Sequence, residues 1–408
     1  MESPSSFDKK SQCSSLRVFT FIWNTQSIRI SESLDPDEIA ENREGYLASY
    51  RFKADIPDFF DPLMKKIIDS DADLVVIGFQ EDASPGSYFH SHILKNQMPR
   101  YNYTLIKRTK LMGVGATTYQ ALLSFDFKMR GLRISIYAKD AFAQKILEEE
   151  DILINDIGNT QKEYVCGSII ARNKGGTASY VRIPRLGTIA FLNAHLPFNS
   201  HSLFESAVRH DPMIRQTDVQ NQNICFNEIY RKLILDLKVK PDYVIYMGDF
   251  NYRNKPGNIG AYKLASALQD HGCEKLYREL YLNCDELYDE MHKKKNIYEF
   301  NEGIDNQGPM FLPTGKMSKT RIDGYDVIVN SGEIDLSQPY TPNPNNTDGL
   351  FYKTGVADQR SPSWCDRILY KTLNDTVEPI KCISYERFDC GQTMKKSDHS
   401  GVIGVFTI

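Results

Sequence analysis

The sequence predicts an α/β fold, in which buried strands alternate with helices. The first predicted strand runs from Leu16 to Asn24, and the segment from Pro57 to Ser70 has apolar residues at helical spacing. Three apolar runs then read as strands, from Ala72 to Glu81, from Thr188 to Leu196 and from Asp242 to Tyr246. Several of these runs end in polar residues, and side chains just past a strand end stand on a rigid support at the rim of a sheet. The pattern therefore predicts a functional rim on an ordinary α/β core.

The composition is that of a globular protein. The chain has 408 residues, 41% hydrophobic and 25% charged, with 49 basic against 53 acidic residues. A net charge of −4 gives no global attraction to polyanions, so we expect no nucleic-acid partner. We expect a disordered leader over residues 1–15 and a single domain over 16–408, because no linker composition divides the rest. Eight scattered cysteines and a start without an apolar signal core predict a cytoplasmic protein; the oligomeric state stays open.

The segment from Met247 to Arg253 concentrates catalytic chemistry. An extended backbone would aim Asp249, Asn251 and Arg253 the same way. A proton acceptor for water, a neutral hydrogen-bond donor and a fixed cation suit in-line attack on a phosphate. Lys174, followed by paired glycines, is a further candidate for a cation held near a phosphate. The alternative for the segment is an Asx-turn closing a strand.

Other strand ends supply candidate metal ligands and histidines. Asn24 and Glu81 offer the carboxamide and carboxylate oxygens that Mg²⁺ binds. His195 could contact the phosphate or assist the leaving group, and Asp366 could pair with His399 and fix its tautomer. The alternatives are a turn asparagine, a solvated glutamate and a buried histidine satisfied within the core.

A basic stretch from Lys107 to Gly113 predicts a transient contact with anionic membrane. It lies between two predicted strands, Tyr101 to Ile106 and Ala121 to Asp126, and combines three cations with the apolar pair Leu111 and Met112. The protein would then be cytoplasmic with peripheral membrane contact. A hairpin end with both apolar residues tucked inward is the alternative.

Together these stretches resemble the inositol polyphosphate 5-phosphatase family, within the deoxyribonuclease I-like or endonuclease/exonuclease/phosphatase superfamily. The resemblance runs from about Arg17 to Ile408 and is carried by Trp23-Asn24, Gly78-Phe79-Gln80-Glu81, Asn173-Lys174-Gly175-Gly176, Asn193-Ala194-His195-Leu196, Gly248-Asp249-Phe250-Asn251-Tyr252-Arg253, Ser363-Trp364-Cys365-Asp366-Arg367-Ile368-Leu369 and Ser397-Asp398-His399. It implies a four-layer sandwich, with two mixed β-sheets packed face to face and helices on the outer faces.

The resemblance also implies an activity, Mg²⁺-dependent removal of the 5-phosphate from a phosphoinositide or a soluble inositol polyphosphate. By this resemblance Glu81, Asn24 and Asp398 would lie at the metal, and Asp249 would be the base. Asn251 would donate to the phosphoryl oxygens, and His195 and the His399–Asp366 pair would contact the scissile phosphate. The cationic pocket would be formed by Lys174, Arg253, Arg367 and Lys316. Arg367 could equally be a structural ion pair. The loop with Lys316 departs from the family pattern, because Gly315 stands where the family has tyrosine.

Two other functions fit the same motifs. One is a nuclease or sphingomyelinase on the same scaffold, against which the acidic balance and the stretch from Ser363 to Leu369 argue. The other is a catalytically inactive scaffold that binds phosphoinositides. The presence of all the acidic and histidine positions argues against that alternative.

Overall fold

The computed structural model describes residues 15–26, 56–82, 93–115, 128–147, 161–166, 174–198, 212–255, 264, 268, 274–315, 317 and 361–408. The strands are β1 (Arg17–Asn24), β2 (Leu74–Asp82), β3 (Tyr103–Gly115), β4 (Lys128–Lys139), β5 (Gln161–Val165), β6 (Gly175–Ile183), β7 (Gly187–His195), β8 (Tyr243–Asp249), β9 (Asn301–Glu302), β10 (Asp366–Thr372), β11 (Lys381–Phe388) and β12 (Gly401–Thr407). The helices are α1 (Phe60–Asp69), α2 (140–147), α3 (Pro212–Tyr230), α4 (Glu274–Cys284), α5 (Glu286–Tyr288) and α6 (Gly391–Lys395). Short helical turns cover Lys95–Gln97, Met98–Tyr101, Arg231–Leu235, Asp289–Lys293 and Ile304–Asn306.

The strands form two mixed, six-stranded sheets. The first sheet has the order β11-β12-β1-β2-β4-β3, and the second has the order β5-β6-β7-β8-β10-β9. Strands β1 and β2 are parallel, as are β7 and β8, whereas the other neighbours are antiparallel. The carboxyl ends of each parallel pair therefore meet at one edge of their sheet.

Alternation along β1 shows how the layers pack. Val18 and Ile22 face the second sheet and join one core cluster with Ile245 of β8. Phe19 and Trp23 point the other way and join a second cluster that includes the apolar face of α1. A third cluster covers the outer face of the second sheet with α3. The predicted fold class, helices outside two facing mixed sheets, is confirmed.

The predicted membrane-contacting loop is instead part of a strand. Residues 107–113 lie within β3 and pair with β4, and Leu111 stands opposite Leu132. Leu111 is fully buried, so it has no surface to offer a membrane and the predicted contact through Leu111 is wrong. Met112 pairs with Gly131 within the same ladder, so it does not lie at a loop tip. Among the described residues, no helix combines the length and the apolar character needed to cross a membrane.

Two other predictions lie outside the described residues. These are the strand from Ala121 to Asp126 and the disordered leader, of which only residue 15 is described.

Candidate active site

The strand order brings the predicted rim residues to one edge. Asn24 ends β1 opposite Gln80 of β2, and His195 ends β7 opposite Asp249 of β8. Because β10 runs antiparallel to β8, its first residue, Asp366, pairs with Asp249. In the same way, β12 runs antiparallel to β1, so the residues that precede it, including His399, arrive beside Asn24. Both sheets thus contribute to one site.

Asp249 is the centre of this site. Its Oδ2 accepts a hydrogen bond of 2.7 Å from Asn24 Nδ2, across the boundary between the sheets. The same oxygen lies 3.4 Å from His195 Nε2 and 3.9 Å from His399 Nε2. The backbone N–H of Asn251 donates to Oδ1 at 3.0 Å. The carboxylate is therefore buried, held in one orientation and in reach of both histidines.

Gly248 makes the approach to Asp249 possible. Its φ is +147°, and a Cβ atom added there would lie 2.0 Å from the carbonyl oxygen of Ala194. Only glycine fits between β7 and β8 at this position.

His195 is a buried, neutral imidazole. Lys174 Nζ contacts its Nε2 closely, and Glu81 Oε1 lies 3.6 Å from the same nitrogen. Burial, reinforced by Lys174, lowers the pKa of His195 to about 3. This histidine could therefore accept a hydrogen bond but would carry no charge at neutral pH.

Glu81 reaches the site through a break in the strand ladder. The pairing of β2 with β4 shifts between Phe79 and Asp82, and Glu81 has a φ of +52°. Its side chain keeps 14% of its surface exposed, against 2% for Asp249. Of Glu81 and Asp249, Glu81 therefore has the carboxylate that solvent can reach more easily.

The predicted Asp–His pair is present. His399 Nδ1 lies 2.8 Å from Asp366 Oδ2, and the backbone N–H of Asp366 donates to Thr314 Oγ1 at 3.2 Å. Burial raises the pKa of Asp366, which His399 opposes. A carboxylate only accepts, so it places the proton on Nδ1 and turns Nε2 toward Asp249 and, at 3.7 Å, toward Asp398 Oδ1.

The expected extended backbone after Asp249 is wrong. Strand β8 ends at Asp249, and Asn251 adopts a left-handed conformation with a φ of +58°. Asn251 Nδ2 donates to the carbonyl oxygen of Leu196 at 3.0 Å, and Arg253 lies beside it, buried. The three residues still come together, but through a turn.

Arg367 is a structural ion pair and not a substrate ligand. It is fully buried, its Nε donates to Glu302 Oε1 at 2.5 Å and its Nη1 to Asp285 Oδ2 at 2.9 Å. Successive strand residues point to opposite faces, so the alternation that brings Asp366 to the site takes Arg367 away from it. The assignment of Arg367 to a cationic substrate pocket is wrong.

Lys316 lies outside the described residues, but its neighbours pack against the site. Gly315 forms bridges to Ser363 and His399, and a Cβ atom added to it would lie 3.5 Å from His399 Cε1. The backbone N–H of Met317 donates to the carbonyl oxygen of Asp398 at 2.7 Å. The segment thus lies directly against the histidine.

Several site residues received no role from the sequence. Ser397 Oγ accepts from the backbone N–H of His399 at 3.1 Å and donates to the carbonyl oxygen of Asn24 at 2.7 Å. Thr314, Cys365 and Gln222 also contact site residues. Ser397 and Cys365 lie within the motifs that carry the family resemblance, and Thr314 lies two residues before Lys316. Nothing local in the sequence distinguishes Gln222.

The residues at this edge fit a divalent cation. Four carboxylates, those of Glu81, Asp249, Asp366 and Asp398, outnumber the cations that the described part of the chain places beside them, Lys174 and Arg253. Candidate ligand atoms of Asp249, Asp366 and His399 lie within 4.8 Å of one another. Carboxylate and carboxamide oxygens are the ligands that Mg²⁺ and Ca²⁺ prefer. The excess negative charge and the oxygen donors together suit such an ion.

The chain matches a known protein family over most of its length. The model of endonuclease/exonuclease/phosphatase family 2 matches residues 47–405, so the chain belongs to the endonuclease/exonuclease/phosphatase family. The family predicted from the motifs is confirmed.

Curated relatives in this family are phosphatases. The chain is 24% identical over 286 residues to phosphatidylinositol 3,4,5-trisphosphate 5-phosphatase 2B of Danio rerio, which is 68% of this chain and 18% of that protein. It is 25% identical over 349 residues to the type II inositol 1,4,5-trisphosphate 5-phosphatase of Mus musculus, which is 82% of this chain and 27% of that protein. The chain thus matches only a minor part of each relative's length.

Solved structures share the fold at low identity. The inositol polyphosphate 5-phosphatase domain of spSynaptojanin, in complex with inositol (1,4)-bisphosphate and a calcium ion, matches 96% of this chain and 84% of its own, with a TM-score of 0.52 and 16% identity. A Cimex nitrophorin matches 96% of this chain and 98% of its own, with a TM-score of 0.51 and 15% identity. Since a nitrophorin shares the fold, the fold alone does not define the function of this chain.

Proposed function

We propose that the protein is a Mg²⁺-dependent phosphatase that removes the 5-phosphate of an inositol ring, from a phosphoinositide or from a soluble inositol polyphosphate. The observation that supports this most is that the imidazoles of His195 and His399 both lie within 3.9 Å of Asp249 Oδ2, at the edge of the two sheets. The family and the names of the curated relatives support the substrate class.

In this mechanism Asp249 accepts a proton from the attacking water. Its Oδ2 is oriented by Asn24, and its position beside two imidazoles places it next to groups that can contact a phosphate. Asn251 donates to a phosphoryl oxygen. His399 is held by Asp366, whose carboxylate favours the imidazolium, and in that form both ring nitrogens carry protons and Nε2 donates to the phosphate. Lys174 supplies a positive charge beside the neutral His195.

Glu81, Asn24 and Asp398 would hold the metal ion. The side chain of Glu81 is partly open to solvent. Asn24 and Asp398 are both held by Gln26, whose side chain accepts from the N–H of Asp398 at 3.1 Å and whose N–H donates to Asn24 Oδ1 at 2.9 Å. When bound, Mg²⁺ supplies Lewis-acid stabilisation of charge on the phosphoryl group.

A phosphate-release panel tests the proposal. Soluble and lipid inositol phosphates, with and without a 5-phosphate, are incubated with the protein in Mg²⁺ and in EDTA. We expect release only from 5-phosphorylated compounds and only with Mg²⁺. Asp249→Asn should lower the rate on the order of 10²–10⁴-fold, because it removes the proton acceptor.

The same panel separates the alternatives. Cleavage of abasic DNA or sphingomyelin without release from inositol phosphates would contradict the proposal in favour of another hydrolase. Binding of phosphoinositide vesicles without any phosphate release would indicate a non-catalytic scaffold. Near-normal turnover by Asp249→Asn would reject the role of that residue.

A further inference from the structure

Two nitrogens of the Arg253 guanidinium donate to protein groups. Its Nη1 donates to Cys365 Sγ at 3.0 Å and its Nη2 donates to Asn251 Oδ1 at 3.1 Å. The ring of Phe198 lies against it, with the guanidinium carbon 4.5 Å from the ring centroid. Only 6% of the residue is exposed. The Nε–H has no hydrogen-bond partner among the described residues, but it is buried, and the bonds of Nη1 and Nη2 direct the guanidinium toward Asn251 and Cys365.

This contact decides which way the Asn251 amide faces. A guanidinium has only donors, so it requires the carbonyl oxygen of the amide on its side. The opposite side, Nδ2, then donates to the carbonyl oxygen of Leu196 at 3.0 Å. Nδ2 carries two hydrogens, and the second is the donor assigned above to a phosphoryl oxygen. A rotated amide would present its oxygen to the phosphate and repel it.

The backbone of Asn251 is held as firmly as its side chain. Its N–H donates to Asp249 Oδ1 at 3.0 Å, and its carbonyl oxygen accepts from Gln222 Nε2 at 3.0 Å. Gln222 is fully buried on α3 and also donates to the carbonyl oxygen of Pro197. These bonds keep Asn251 in a left-handed conformation, which asparagine tolerates at a modest cost.

We infer that Arg253 and Cys365 are positioning residues, which fix the carboxamide of Asn251 so that Nδ2 faces the reacting phosphate. Cys365 holds the guanidinium from behind, and Arg253 holds the amide oxygen. This inference rests on the proposed function for the role of Asn251, and it replaces the expectation that Arg253 binds substrate. A donor fixed before reaction stabilises the transition state without rearrangement.

Steady-state kinetics on the 5-phosphorylated substrate test the inference. We expect Arg253→Met to lower kcat by ~10–100-fold with KM unchanged within about twofold, because a positioned donor acts in the transition state. Cys365→Ala should give a smaller fall in kcat of the same kind, and Cys365→Ser, which keeps an acceptor, should recover most of it. In an Asn251→Ala background, Arg253→Met should cost less than about twofold more.

Substrates with and without a 4-phosphate distinguish positioning from substrate binding. Positioning predicts the same fold loss on both. A rise in KM, a loss confined to the 4-phosphorylated compound, or additive losses in the double variant would overturn the inference. Arg231→Met, which removes an arginine paired at the surface with Glu228 and Asp236, is the matched control and should leave kinetics unchanged. If Arg253→Met fails to fold, the kinetics of Cys365→Ala and Cys365→Ser test the inference without it.

A second measurement needs no substrate. Asparagine labelled with ¹⁵N gives a side-chain NH₂ signal for Asn251, which is assigned by its absence in Asn251→Ala. We expect that signal to shift and to exchange faster with solvent in Arg253→Met and Cys365→Ala, but not in Arg231→Met. An Asn251 NH₂ signal that is unchanged in Arg253→Met and Cys365→Ala would refute the proposed positioning of the amide by Arg253. If the wild-type protein releases no phosphate, the proposed function fails, while this signal still tests the positioning.

Discussion

Replacing Arg367 by methionine should destabilise the protein without weakening substrate binding. Arg367 is fully buried and neutralises two buried carboxylates, Glu302 through Nε and Nη2 and Asp285 through Nη1 at 2.9 Å. Methionine fills similar space but leaves both carboxylates without their cation. Breaking a buried pair by removing one partner costs about 3–5 kcal/mol, and we expect a loss of that size in the free energy of unfolding at pH 7.5.

The loss should shrink at lower pH. Burial already raises the pKa of Asp285 to about 6, with Arg367 opposing the rise. Without Arg367 the pKa rises further, so the folded variant binds protons that the unfolded chain does not hold until lower pH. A raised carboxyl pKa means that stability is gained as pH falls, so the difference from wild type should narrow between pH 7.5 and 5.5.

Urea unfolding at both pH values measures this. Lys66→Met, which removes an exposed pair with Glu386, is the control and should cost less than about 1 kcal/mol. The reasoning is refuted if Arg367→Met unfolds like the control, or if it folds normally and raises KM. The second result would restore a substrate-binding role.

Three further predictions concern the core and the site. His195→Gln removes an imidazole whose pKa is lowered to about 3 in the folded protein. Wild type should therefore lose stability as pH falls below about 6.5, by up to ~1.4 kcal/mol per pH unit, whereas the variant's free energy of unfolding in urea should depend less on pH. Equal pH slopes for the two proteins would contradict a neutral, buried histidine. Gly248→Ala should cost at least ~1–3 kcal/mol in thermal unfolding, because its Cβ would lie 2.0 Å from a carbonyl oxygen, and a neutral effect would disprove the close approach. Leu111→Ser should lower stability by ~2–5 kcal/mol and leave liposome binding unchanged; the reverse result would restore the membrane contact.

The sequence predicted the strands whose apolar runs end in polar residues. Strands β1, β2, β7 and β8 lie close to their expected positions, because each is buried on both faces and carries few charges. β11 was missed because it is an edge strand of mixed exposure, with Ile383 45% exposed. The prediction for β3 failed because its charged residues indicated a loop. Lys110 is exposed, whereas Thr109 and Leu111, on either side of it, are buried.

The candidate site was predictable where it depends on strand ends and not where it depends on distant contacts. Strand ends placed Asp249, His195 and Asp366 together. Alternation could have excluded Arg367, since it is adjacent to Asp366 and must face the other way. The contact between Arg253 and Cys365 joins residues 112 positions apart, and no local pattern encodes such a separation.

The pairing of β12 with β1 sets the order in which this site can assemble. Thr20 Oγ1 donates to the carbonyl oxygen of Gly404 across 384 positions, so nearly the whole chain lies within the closed loop. Such distant pairing is slow to form, because closing the loop costs conformational entropy before the contacts between the two strands stabilise it. His399 precedes β12, whereas Asp249 and His195 belong to the second sheet. Detachment of β12 alone would therefore separate His399 from Asp366 and stop the proposed reaction while most of the protein stays folded.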